Sequence, residues 1–134
     1  MAKKILIIDD NAGFRAMVKD YLKMHEVPLE IFEANSGEMG VAKASFIKPD
    51  IVLMDISLPH ANGLEATKHI KEDNPHCDVI ILTMFEVDVF KRASQKVNAS
   101  DFIGKSEIYG RLLPTIEKCL EEKQEKIKEG MKGG

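Results

Sequence analysis

Long apolar runs, paired cysteines and an excess of one charge are all missing from this chain. No apolar stretch approaches the length that spans a bilayer, and only four apolar residues follow Met1-Ala-Lys-Lys. A secretory signal needs a longer run, so the expected compartment is the cytoplasm, with no membrane contact. The two cysteines, Cys77 and Cys119, lack metal-ligand spacing, and without a secretory context they read as reduced thiols. A formal net charge of -3 lacks the basic patch of a nucleic-acid binder, so no direct nucleic-acid contact is expected. His25, His60, His69 and His76 are scattered, with neither i, i+4 spacing nor cysteine companions, which argues against a histidine metal site. Internal repeats and low-complexity segments are also lacking.

What is present fits one soluble domain with a sizeable core: 134 residues, 44% apolar and 31% charged. Three uniformly apolar runs stand out, Ile5–Ile8, Ile51–Met54 and Val79–Leu82, each short and bounded by turn signals. Such runs read as strands buried on both faces. Leu29–Ala34 carries Glu30 and Glu33, and Asp101–Ile103 carries Asp101, so both suit the sheet edges.

Between the strands lie helical patterns. Phe14, Met17, Val18, Tyr21 and Leu22 form one apolar face, with Asn11 or Asp10 as the cap. Asn35-Ser36-Gly37-Glu38 resembles a helix start, with a cap and an acid three residues later, and that helix should run to about Ile47. After a Ser57–Gly63 loop, further helices are expected at Leu64–Glu72, around Asp88–Val97 and from about Glu107. Five strands alternating with five helices imply an α/β fold. The expectation is a (βα)5 doubly wound parallel five-stranded sheet of flavodoxin-like order 2-1-3-4-5. Residues 1–120 should form the domain, and the charged stretch 121–134 an extension of the last helix that frays.

A buried strand hardly holds a carboxylate inside it, so Asp55 should sit at the C-terminal mouth of its strand, where ligands bind in open parallel sheets. The same mouth receives Asp9-Asp10, Thr83 and Lys105 from the other strand ends. Each has an ordinary reading as cap, turn former or solvated charge. Together, three converging carboxylates repel unless a cation offsets them. Oxygen ligands in a shallow, watery site suit Mg²⁺. With Lys105 as a point charge and Thr83 as a hydroxyl donor, the set suits phosphoryl transfer to an aspartate.

These motifs, IIDDN at 7–11, LMDISLPHANG at 53–63, ILTMF at 81–85 and FIGKS at 102–106, resemble the response-regulator receiver domain of two-component signalling, from Lys3 to about Leu120. The resemblance implies Asp55 as phosphoacceptor. It implies Asp9, Asp10 and the backbone carbonyl of Ser57 as further Mg²⁺ ligands. Thr83 matches the switch hydroxyl, Phe102 the switch aromatic and Lys105 the phosphate-pairing lysine. The implied donors are a sensor histidine kinase or a histidine phosphotransfer protein, with small donors such as acetyl phosphate also usable. Phosphorylation is then expected to draw Thr83 in and turn Phe102 inward. That would reshape the surface of the fourth helix, last strand and last helix for a downstream protein or output domain, with a phosphorylation-dependent dimer allowed.

Leu113, Ile116, Leu120 and Ile127 trace a heptad that Lys123 interrupts. Two departures from the family pattern stand out: Ser106 where a proline is usual, and the bulky Met84 and Phe85 after Thr83, expected to restrict water access. Other classes fit less well. A phosphohydrolase usually carries D-x-D, whereas Ile56-Ser57 follows Asp55; a dinucleotide protein carries G-x-G-x-x-G, whereas DDNAGF follows the first strand. A scaffold that is never phosphorylated would be expected to lack one of Asp10, Asp55, Thr83 and Lys105. The chain reads as a signalling phosphoacceptor and not as an enzyme with a turnover substrate.

Overall fold

In a computed structural model of the chain, residues 3–58, 61–84 and 88–132 are described, apart from the side chains at 57, 58, 61, 88–90 and 124–132. Strands β1 (Lys3–Ile8), β2 (Leu29–Ala34), β3 (Ile51–Asp55), β4 (Asp78–Thr83) and β5 (Asp101–Gly104) pair in parallel in the order β2-β1-β3-β4-β5. The acid-bearing strands β2 and β5 take the edges, as expected. The three apolar runs fill the centre, because a central strand meets helices on both faces and has no side open to water.

Alternate strand residues face opposite layers. Ile5, Ile7, Ile51, Leu53, Ile80, Leu82 and Ile103 pack with α1 (Ala12–Met24) and α5 (Ile108–Lys132). Leu6, Ile8, Val52, Met54, Val79, Ile81 and Phe102 pack on the other face, with Ala44 of α2 (Gly37–Ile47) and Ala66 and Ile70 of α3 (Gly63–Asp73). Helix α4 (Asp88–Lys96) packs beside β5. No helix among the described residues is long and apolar enough to cross a membrane.

Local details refine the expected boundaries. Asn11 caps α1, its side chain accepting from the Phe14 amide at 2.9 Å. Ser36 caps α2 through the Met39 amide at 3.1 Å, so Glu38 falls two residues after the cap, not three. The capping box therefore does not form in the anticipated register. The Ser57–Gly63 loop contains a short antiparallel ladder, Ser57–Leu58 with Ala61–Asn62. Gly63 closes it: a Cβ there would lie 2.1 Å from the Asp55 carbonyl oxygen, so only glycine permits this approach. Its carbonyl accepts from the buried Thr67 hydroxyl at 2.8 Å. A 3-10 turn at Lys105–Glu107 precedes α5, which starts one residue later than expected and continues unbroken to Lys132.

Candidate functional site

Strand register assembles the site. β1 and β3 pair Ile7 with Leu53 and Ile8 with Met54, so one further step brings Asp9 level with Asp55. Asp9 and Asp55 continue the rows that face α1 and α5. The order β2-β1-β3 also reverses chain direction around the sheet between β1 and β3, which opens a crevice at their C-terminal ends. On the other side of β3, Asp55 pairs with Leu82 and Thr83 with Gly104, which leads directly to Lys105.

Asp9, Asp10 and Asp55 each offer a carboxylate oxygen, and these atoms lie within 4.8 Å of one another. Asp9 and Asp55 are buried, at 1% and 6% exposure, while Asp10 is exposed. Lys105 Nζ is 2.7 Å from Asp9 Oδ2 and 3.5 Å from Asp55 Oδ2, and 4.1 Å above the centre of the Phe14 ring. Against three formal negative charges, Lys105 sets one positive. Buried like charges at this spacing are costly unless a cation joins them. Oxygen donors at a partly open mouth match the preferences of Mg²⁺, so the donor set fits that ion.

Thr83 is fully buried at the end of β4. Phe102 is only 8% exposed and packs with the α2 and α3 layer. The ring is therefore buried in this conformation. Ser57 lies two residues beyond Asp55 in the short ladder, paired with Asn62. Ser106, in place of the family's proline, is accommodated by the 3-10 turn, from which Lys105 still reaches both acids. Met84 is 74% exposed, pointing to solvent, and Phe85 lies outside the described residues. A groove of about 440 Å³ between α2 and α3, lined by residues such as Glu38, Glu65 and His69, holds none of the predicted site residues.

Sequence reasoning missed Arg15 and half of what Glu33 does. Arg15 donates from Nη1 to the Asp9 carbonyl at 2.6 Å and from Nε to Glu33 at 3.1 Å, and Lys19 also reaches Glu33 at 3.1 Å. Burial pushes the Glu33 carboxyl up, but the hydrogen bonds and charges of Lys19 and Arg15 outweigh it and hold it below its ordinary value. The available signal was a cation shortly after the acidic pair and a second acid, besides Glu30, placed just before the end of β2.

A doubly wound sheet with buried acids and a lysine at its switch point defines an α/β protein with a charged site at the carboxyl ends of its central strands. The comparisons name the family. The family model for the response regulator receiver domain matches residues 5–117, and the chain belongs to that family. Chemotaxis protein CheY of Thermotoga maritima is 34% identical over 119 residues, 88% of this chain and 98% of that protein. Response regulator protein VraR of Staphylococcus epidermidis is 39% identical over 88 residues, 66% of this chain but 42% of VraR, so the match spans less than half of that relative. The solved CheY-like receiver domain protein of Methanospirillum hungatei aligns with a TM-score of 0.85 at 26% identity, covering 94% of this chain and 99% of that one.

Proposed function

We propose that this receiver domain accepts a phosphoryl group on Asp55 in a two-component phosphorelay. The observation that carries the reading is the meeting of three carboxylates within 4.8 Å, two of them bridged by Lys105. An Asp55 carboxylate oxygen attacks the phosphorus of a phosphohistidine in a sensor kinase or phosphotransfer protein. The P–N bond breaks, imidazole leaves and an acyl phosphate forms on Asp55. Lys105, already 3.5 Å from Asp55, pairs with the transferring oxygens, and the buried walls keep its charge effective. Asp9, Asp10, Asp55 and the Ser57 carbonyl would hold Mg²⁺, which when bound neutralises charge on the transferring phosphoryl oxygens.

The new group adds one to two negative charges, about −1.5 to −2 for phosphoryl groups on side chains generally. Thr83 turns its hydroxyl to this group. With Phe102 buried beside it, the response passes to the surface of α4, β5 and α5 as a population shift. That surface meets a downstream protein, an output domain or a second copy. Residues 1–120 act as the receiver and 121–134 as a charged extension of the last helix and tail, in the cytoplasm.

Intact mass after incubation with acetyl phosphate and Mg²⁺ tests this, comparing the parent with Asp55→Asn. A phosphoryl adduct on the parent alone is expected. Adducts on both discredit Asp55 as acceptor. No adduct on the parent, even with a competent kinase as donor, favours a scaffold that binds partners without phosphorylation.

A further inference from the structure

We infer that Arg15, braced by Glu33, is a positioning residue for the cation site, an inference that rests on the function proposed above. Asp9 is held at four atoms. Its amide donates to the Ala34 carbonyl at 3.1 Å, its Oδ1 accepts from the Asn11 amide at 2.9 Å, and its Oδ2 accepts from Lys105 at 2.7 Å. The fourth, the main-chain carbonyl, accepts from Arg15 Nη1 at 2.6 Å. That carbonyl belongs to the peptide unit joining Asp9 to Asp10. Its orientation decides how the exposed Asp10 leaves the sheet relative to the buried Asp9.

Arg15 cannot swing away freely, because Glu33 holds its Nε at 3.1 Å. Glu33 is itself fixed by the sheet, in register with Ile7 two residues before Asp9. The guanidinium thus ties the start of α1, the end of β1 and the edge strand β2 to one peptide plane beside the carboxylates. A planar fork serves two acceptors at once, which an ammonium at the same place does less well. Groups that orient metal ligands from behind affect affinity without touching the ion.

A purely structural salt bridge predicts something different, and Lys19 separates the two. It pairs with the same Glu33 at 3.1 Å and not with Asp9, so Lys19→Gln removes an ion pair and leaves the peptide plane held. Calorimetric titration of MgCl₂ into the full chain, without any phosphodonor, reads the site directly, with urea unfolding run in parallel. Arg15→Gln is expected to weaken Mg²⁺ binding about tenfold. Lys19→Gln should leave the affinity unchanged, and Arg15→Lys should recover part of the loss. If Arg15→Gln does not fold, Glu33→Gln takes its place, with a smaller weakening expected. Parent-like affinity in the Arg15 or Glu33 variant, or equal weakening by Lys19→Gln, overturns the inference alone. A parent that binds no Mg²⁺ overturns the cation reading and this inference with it.

Discussion

Burial pushes the thiol of Cys77 from an ordinary 9.0 up to about 12, against the opposing charges of Lys123 and Lys71. Cys119 is also pushed up to about 12, by burial and then by the nearby Asp78. At neutral pH both are therefore protonated and poorly nucleophilic. A raised acid pKa means that the folded chain keeps a proton which the unfolded chain releases. Stability from these groups is complete below the unfolded thiol value and falls as the pH rises past it. A thiol reagent at neutral pH should label neither cysteine until urea unfolds the chain. The decline in unfolding free energy with alkaline pH should flatten in Cys77→Ala/Cys119→Ala. Rapid labelling of the folded protein would contradict the burial. At this scale the carboxylates were legible because each terminates an apolar run. The bond from Arg15 to the Asp9 carbonyl was not, because main-chain acceptors leave no trace in a residue pattern.

Among the described elements, α5 is the longest. Its 25 residues run through Pro114, whose missing N–H leaves the Gly110 carbonyl without its helical donor. Both residues face solvent, so water can serve that carbonyl and the helix survives. Pro114→Ala should restore the bond and relieve the ring's clash. A gain of about 1–3 kcal/mol is expected, less the entropy by which proline stiffens the unfolded chain. Urea unfolding measures it; a loss of stability would mean that a bend at this point is needed for packing against β5. The helix also carries Lys123 into contact with the His76 carbonyl and to 3.4 Å from Asp78, beyond the point where its apolar pattern ends. A periodicity argument stops where the apolar face stops, whereas a long lysine docks by its tip.

For the whole molecule, a ligand that binds only the folded state stabilises it by mass action. The acids at the mouth come from the ends of β1 and β3, so unfolding disperses them completely. Saturation with Mg²⁺ at a hundredfold excess over its Kd should add about 2.7 kcal/mol to the unfolding free energy. The gain should disappear in Asp9→Asn, and KCl of equal ionic strength should not reproduce it. An equal gain from KCl would reduce the effect to general screening of the acids.

The order of elements, the central and edge strands and the acids at the strand ends were determined by sequence alone, because burial on two faces imposes uninterrupted apolar runs and a carboxylate must lie where they stop. The tertiary structure decided the rest: Lys105 bridging Asp9 and Asp55, Phe102 buried against the α2 and α3 layer, and Arg15 gripping the Asp9 carbonyl. These depend on which atoms of distant segments come within about 3 Å, the reach of a hydrogen bond, and strand register together with rotamer choice settles that only once the sheet has assembled.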